Sequence, residues 1–291
     1  GVSLWYGDGA FLGLLSSLAI MVGGGLALAY ANRSQTPLNL TLRDGFAVVG
    51  ICWIVASFAG GLPFVLTSTA SVTDAVFEAA SGFTTTGATV FADIEALPHG
   101  LLMWRSLTHW IGGLGINLLS LIVLPLLGVG GMQLYRAEVT GPSPGKLTPR
   151  MQDTALTLWR VYCLMTVVLT VLLYIAGMDW FDALNHSFST VATGGFSTKN
   201  ASIAAYPQAS IQWILIFFMF IAGINFSLHA QALRGVVKVY LRNQECCFYT
   251  GLLILGSAVI VAGLVEHGLF GIGSLSEFEQ VTRAAVFQLV S

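Results

Sequence analysis

The stretch Ser81-Gly-Phe-Thr-Thr-Thr-Gly-Ala-Thr-Val90 returns in altered form as Ser189-Thr-Val-Ala-Thr-Gly-Gly-Phe-Ser-Thr198, 108 residues later. The same offset relates a preceding Asp-Ala pair and a following Gly-Ile-Asn tripeptide, which occur at Asp74 and Asp182 and at Gly115 and Gly223. Because the offset persists on both sides of the stretch, the chain contains an internal repeat of a whole unit.

The composition indicates a membrane protein. Hydrophobic residues form 55% of the 291 residues and charged residues only 9%, whereas soluble domains carry about 25% charge. A helix that crosses the hydrocarbon layer needs about 20 apolar residues, and six runs satisfy this, at about 10–30, 45–66, 100–127, 154–177, 208–232 and 247–265. Asp8 precedes the first run and no basic segment does, so we expect a retained helix there and not a cleaved signal peptide.

The charges alternate in sign between successive connections. Basic residues occur in every second connection or at its helix ends, at Arg33, Arg43, Arg136, Lys146, Arg150, Arg234, Lys238 and Arg242. The intervening connections are mostly acidic and carry the two Gly/Thr stretches. By the positive-inside rule, the basic connections are cytoplasmic and the Gly/Thr stretches face outside.

Each repeat is expected to contain a re-entrant loop. Residues 72–84 are apolar enough for a short helix, whereas the Thr/Gly segment after them lacks helical patterning. Non-helical backbone at membrane depth must be buried in protein or line a water-filled path. Its carbonyl oxygens can replace the hydration shell of a cation. Gly87 and Gly195 then provide the backbone conformations that a Cβ atom penalises.

A third copy begins near the end of the sequence. Ala285-Val-Phe287 matches Ala75-Val-Phe77 at an offset of 210 residues, and Ser291 corresponds to Ser81. We therefore expect the chain to stop inside a third pore helix. A ring of carbonyls around an ion needs about four such loops, so the sequence is expected to be part of a longer working protein.

The repeated loops resemble those of the bacterial Trk/Ktr potassium transporter family, and the additional N-terminal span resembles the Trk membrane subunit. The matching residues are 77–90, Val191-Ala-Thr-Gly-Gly-Phe-Ser-Thr198 and the helix signature His109-Trp-Ile-Gly-Gly-Leu-Gly-Ile-Asn117. The resemblance implies an all-α membrane protein of potassium-channel-like architecture. Its units each consist of a first span (M1), a pore loop and a second span (M2). The units run parallel around a pseudo-fourfold axis, and about two and a half of them are present.

The resemblance also implies a division of the chain. An extra N-terminal transmembrane helix and its cytoplasmic connection occupy 1–43, the first unit 44–149, the second 150–243, and the truncated start of the third 244–291. The expected activity is potassium uptake across the bacterial inner membrane without a cofactor. The expected partners are membrane lipid, a second copy of the chain in a homodimer and a cytoplasmic ring of nucleotide-binding regulatory subunits. No nucleic acid is expected.

The family's selectivity filter maps onto two sets of residues. Potassium is expected to bind the backbone carbonyls of Thr85, Thr86, Gly87, Thr193, Gly194 and Gly195, with Ala88 and Phe196 as filter neighbours. In the wider superfamily, a serine in place of the first filter glycine is associated with sodium preference. This chain has a glycine there, Gly87, so the resemblance implies a preference for potassium. A sodium-permeable or poorly selective member of the same superfamily is the alternative.

Several polar residues near the loops are expected to be structural. A scaffold role is favoured over ion binding for Glu78, and N-capping of the pore helices explains Asp74 and Asp182. Arg105 is expected to snorkel or to pair with an acidic loop residue. The glycine clusters at 23–25, 60–61 and 112–115 predict close helix packing, with Gly115 and Gly223 as possible hinges.

No pattern in the sequence indicates an enzyme. The segment 141–147 has too few residues between its glycines, and no Ser or Thr after its lysine, to be a phosphate-binding loop. The histidines show no metal-ligand spacing. A membrane-embedded enzyme or scaffold that holds a lipid with its loops remains the alternative from another class, and the symmetry of the loops argues against it.

Overall fold

The computed structural model describes residues 1–31, 33, 42–126, 149–266 and 274–291, without side chains for 42–46, 48, 116–126 and 149–154. These residues form helices and no β-strand, which confirms the expected all-α class. The helices are α1 (Val2–Tyr6), α2 (Phe11–Ala31), α3 (Leu42–Leu66), α4 (Val72–Phe83), α5 (His99–Leu126), α6 (Pro149–Ile175), α7 (Trp180–Val191), α8 (Ala209–Ala222), α9 (Phe226–Leu233), α10 (Val239–Arg242), α11 (Gln244–Glu266) and α12 (Leu275–Val290). A 3₁₀ turn spans Ser202–Ala205.

Four helices are long and apolar enough to cross a membrane, namely α2, residues 49–66 of α3, residues 155–175 of α6, and α11. They confirm four of the six predicted spans. Residues 100–126 of the predicted span at 100–127 lie in α5, and residue 127 is outside the described residues. Only 6% of α2 and of α11 is buried within the chain, as expected for helices that contact lipid.

The predicted span at 208–232 is not one helix. It divides into α8 and α9, which meet at an angle of 100°. The Asn225 side chain accepts a hydrogen bond from the Ser227 backbone N–H at 3.0 Å and so caps a new helix in mid-span. The expectation of an uninterrupted span is therefore wrong here. Gly223 lies at the break, at the position proposed as a possible hinge.

The pore helices α4 and α7 lie between the two longer helices of their units. Helix α4 packs on α3 and α5, and α7 packs on α6 and α8. The second span of each unit also packs against the pore helix of the next, since α5 contacts α7 and α8 contacts α12. Successive units are therefore adjacent, and each is joined to the next by its second span.

Small residues permit these close contacts. A Cβ atom on Gly60 would overlap the Phe83 ring, and one on Gly61 would lie 3.0 Å from the Ala75 carbonyl oxygen. A Cβ atom on Gly112 would overlap the Phe83 carbonyl. The predicted packing role is thus confirmed for two clusters. It is wrong within this chain for Gly23, Gly24 and Gly25, because no described residue lies within 4 Å of their Cβ positions.

The pore helices begin three residues earlier than the N-cap assignment implied. Ser71 caps α4 by accepting the Asp74 backbone N–H, and Asp179 caps α7 by accepting that of Phe181. Asp74 is therefore the third residue of α4, and its carboxylate accepts a hydrogen bond from the Ser71 hydroxyl at 2.7 Å. The predicted N-cap role of Asp74 and Asp182 is wrong, because a better cap precedes each of them.

The third copy forms a helix, as expected. Helix α12 begins after Ser274, whose hydroxyl accepts the Glu277 backbone N–H, and it contains the segment 285–287 that matches the first pore helix. The Trp213 indole of α8 donates to Glu279 of α12 at 2.7 Å. The third unit is thereby attached to the second.

Candidate ion-conduction site

The backbone has the same shape in both filter segments. After each pore helix the chain turns back: the Thr86 N–H donates to the Ser81 carbonyl at 2.9 Å, and the Gly194 N–H to the Ser189 carbonyl at 2.8 Å. Positive φ angles then occur at equivalent positions, namely at Thr85 (54°) and Thr193 (55°) and at Gly87 (77°) and Gly195 (92°). Residues of positive φ therefore occupy alternate positions, 85 and 87 in the first loop and 193 and 195 in the second.

The glycines were expected to adopt positive φ, and the structure has this conformation at both. The two threonines in the left-handed region were not predicted. A β-branched residue is rare there and costs about 1–3 kcal/mol. Such strain persists where the surroundings fix the backbone, which is frequent at functional sites.

The filter carbonyls lack donors within the part of the chain described above. The carbonyl oxygens of the six residues assigned to the filter accept no hydrogen bond from a described residue, and they are those of Thr85, Thr86, Gly87, Thr193, Gly194 and Gly195. The two filter segments, here called ribbons, thus present oxygen ligands, which are those that hard cations prefer.

The two ribbons lie side by side. A Cβ atom on Gly87 would overlap the Gly194 carbonyl oxygen, so the absence of a side chain permits this contact. Both ribbons line one cavity of about 530 Å³, together with the ends of helices from the second and third units. The lining includes the six filter residues and also Phe287, Gln288 and Ser291 of the third copy.

The two predicted filter neighbours differ in their surroundings. Ala88 is exposed and does not line the cavity, whereas the buried Phe196 does. The Phe196 ring also stacks on the His109 imidazole with centroids 4.0 Å apart. Phe196 therefore joins the second filter to the first unit's α5.

A polar contact links each pore helix to the segment after its filter. In the first unit, the Glu78 carboxylate accepts from the Thr89 hydroxyl and the Val90 N–H, each at 3.0 Å. In the second unit, His186 occupies the place of Glu78, and its Nε2 lies 2.9 Å from the Ser197 hydroxyl. The scaffold interpretation of Glu78 is confirmed, and a different residue pair makes the equivalent link in the second repeat.

Arg105 connects the first filter to the second. Its Nε forms an ion pair with Glu78 Oε1 at 2.7 Å, and both side chains are only 1% exposed. Its other nitrogens donate to the Thr89 hydroxyl and to the Ser197 carbonyl, each at 3.2 Å. The guanidinium also lies 4.2 Å from the Phe196 ring centroid. Arg105 pairs as expected, but with a pore-helix carboxylate and not with an acidic loop residue, and it does not snorkel.

His109 explains a difference between the two filters. The first has Thr86 where the second has Gly194, and a Cβ atom on Gly194 would overlap the imidazole of the buried His109. The His109 Nδ1 also lies 3.2 Å from the Ser189 hydroxyl of α7. In the sequence His109 is recognisable only as part of a helix signature, and its contact with a residue 85 positions later has no local signal.

The loops after the filters are also joined. Asn200 donates its side-chain amide to the Asp93 carboxylate at 2.8 Å and accepts the Ile94 N–H, while its own N–H donates to Glu95. The hydrogen bond from Asn200 holds the pKa of the Asp93 carboxyl below its usual value. Asp93 and Glu95 therefore accept hydrogen bonds from Asn200. This contact between the two loops was not predicted from the sequence.

Comparison with known proteins places this geometry in a family. Residues 16–253 match the family model described as TrkH, cation transport protein. The chain is 40% identical over its full length to a Trk system potassium uptake protein TrkH of Escherichia coli K12 and 43% identical to one of Halomonas elongata. It spans about 60% of the length of each of these relatives.

A solved structure has the same fold. The crystal structure of the potassium transporter TrkH from Vibrio parahaemolyticus matches 99% of this chain with a TM-score of 0.87 and 34% identity, over 58% of that chain. The family model covers well over half of the sequence. The chain, a multi-pass membrane protein with two re-entrant loops, belongs to the TrkH family of cation transport proteins.

Proposed function

We propose that the full-length protein carries potassium across the bacterial inner membrane through a filter of backbone carbonyls. One observation carries the proposal: two loops with positive φ at equivalent positions line one cavity, and their carbonyls accept no hydrogen bond from a described residue. Potassium is favoured because the similar proteins named above are potassium transporters.

The mechanism is replacement of water by protein oxygens. A cation that enters the cavity exchanges hydration oxygens for the carbonyls of 85–87 and 193–195, so desolvation is offset without covalent change. Discrimination between ions needs these oxygens to stay in place. The links from Glu78, His186 and Arg105 support that requirement, since they fasten the filter segments to pore helices and to each other.

The organisation of the whole protein is part of the proposal. We assign M1–pore-loop–M2 units to 44–149 and 150–243 and the start of a third unit to 244–291, after an additional helix in 1–43. The packing of each second span on the next pore helix supports this division. We further propose that the protein is the membrane subunit of a Trk-type system, and that it forms a homodimer and binds a cytoplasmic ring of nucleotide-binding subunits, as the resemblance implies.

Ion uptake tests the proposal. The full-length protein is expressed in a bacterial strain that lacks other potassium importers, and uptake is measured with potassium and sodium in competition. We expect growth at low potassium and preferential potassium uptake. Equal uptake of both ions would favour the poorly selective alternative, and absence of cation uptake would contradict the proposed function.

Substitution of Gly87 tests whether the two loops determine ion selectivity. In Gly87→Ser the new side chain meets both a positive φ and the Gly194 carbonyl, so the two ribbons must separate or distort. We expect selectivity for potassium over sodium to fall about tenfold, which corresponds to about 1.4 kcal/mol. The matched control is Gly24→Ser, at a glycine of α2 with open space around it. Unchanged selectivity in Gly87→Ser would remove this residue from the filter.

A further inference from the structure

Residues 233–242, here called the elbow, connect α9 to α11 and carry regularly spaced positive charge. Arg234, Lys238 and Arg242 occur at every fourth position, and all three are exposed. The sequence from 226 to 244 contains no Asp or Glu. Within the described residues, none of the three cations forms an ion pair. The elbow therefore carries three positive charges and no negative one.

The same segment exposes large apolar side chains. Leu233 is 63% exposed, Val236 54%, Val237 64% and Leu241 82%. Apolar and basic side chains are thus interleaved on a surface that the rest of the described chain does not cover. This combination is typical of segments that lie in a membrane interface, where apolar groups enter the acyl boundary and cations meet headgroups.

The side of the elbow opposite to its exposed residues packs against the rest of the chain. Tyr240 and Val239 pack against a buried cluster of Ile224, Leu228 and Cys246. The Tyr240 hydroxyl lies 2.8 Å from His229 Nδ1, and the other nitrogen of that ring lies 2.8 Å from the Ile221 carbonyl. The backbone of the elbow is therefore anchored on this side, and its exposed residues lie on the other.

The position in the fold sets the depth. The elbow follows the broken span formed by α8 and α9 and directly precedes α11, which is long enough to cross the membrane. It must therefore lie near one membrane surface, and the charge pattern makes this the cytoplasmic one. We propose that the elbow binds anionic phospholipid headgroups of the cytoplasmic leaflet, with its cations on the phosphates and its valines and leucines among the upper acyl carbons. This site is separate from the filter, so it can fail while the proposed transport stands.

A lipid-quenching measurement on the full-length protein tests the proposal. The native cysteines are replaced, a fluorophore is attached at Gln231→Cys beside the elbow, and the protein is placed in phosphatidylcholine nanodiscs. Brominated phosphatidylglycerol or brominated phosphatidylcholine is then titrated at equal mole fraction. We expect half-maximal quenching at about five- to tenfold lower mole fraction of the anionic lipid, and loss of this preference at about 0.5 M salt.

Two variants separate charge from folding. Replacing Arg234, Lys238 and Arg242 by Gln together should abolish the preference, whereas Arg234→Lys with Arg242→Lys keeps the charges and should retain it. Potassium uptake and a single size-exclusion peak report that each variant is folded. Equal quenching by both lipids, or a preference unchanged by the triple Gln variant, would overturn the proposal. Absence of quenching by either lipid would do so too, since the elbow would then face water and suit a soluble partner.

Discussion

Replacing Glu78 by Gln should damage both stability and ion selectivity, although its side chain does not line the cavity. The substitution keeps the shape and removes the charge, so Arg105 stays buried without its counter-ion. Both side chains are 1% exposed and 2.7 Å apart. Breaking a buried ion pair on one side costs about 3–5 kcal/mol, because the remaining charge is uncompensated.

The loss should reach the filter through the same contacts. Glu78 also holds Thr89 and Val90, directly after the first filter, and Arg105 holds the Ser197 carbonyl after the second. Once Arg105 moves to find another partner, both segments lose a fixed neighbour. We expect potassium selectivity over sodium to fall about tenfold, for a loss of about 1.4 kcal/mol in discrimination.

The assay combines thermal unfolding of the full-length protein in detergent with competitive potassium and sodium uptake. Glu266→Gln, which removes an exposed carboxylate at the end of α11, is the matched control and should change neither. Arg105→Lys keeps the charge but cannot form the three-way contact, so it should retain more stability than Glu78→Gln while still losing selectivity. Wild-type unfolding and selectivity in Glu78→Gln would refute the reasoning.

The positive φ angles of the loop glycines and four of the six spans were predictable, because their signals are local. A run of about 20 apolar residues predicts a crossing helix wherever the run packs. A glycine inside a Thr-rich, non-helical segment predicts positive φ, and this signal too is local. Gly87 and Gly195 both have positive φ. The repeat added the pairing of equivalent positions, which identified both loops from one argument.

The contacts that hold the loops were not predictable, because they join residues distant in sequence. Arg105 and Glu78 are 27 residues apart, and Arg105 and Ser197 are 92 apart. Glu78 and Arg105 could each be recognised as structural from the sequence. Their partners, however, depend on how α5 packs between two pore helices. The break between α8 and α9 was missed because hydropathy does not register a cap inside an apolar run.

Three further predictions concern topology, capping and the second filter. Single cysteines at Arg33 and Gln208 of the cysteine-free full-length protein should react with an impermeant thiol reagent from opposite faces, and labelling from one face would contradict the parallel units. Ser71→Ala removes the cap of the first pore helix and should lower the free energy of unfolding by about 1 kcal/mol, measured by thermal unfolding. Gly194→Ala should abolish potassium uptake, because the added methyl group overlaps the buried His109 ring. If that overlap is the cause, His109→Ala should restore part of the uptake when combined with Gly194→Ala, although alone it removes a stacked ring and lowers stability. A double variant as inactive as Gly194→Ala would contradict this explanation, since the overlap with the imidazole would then not be the cause of the lost uptake.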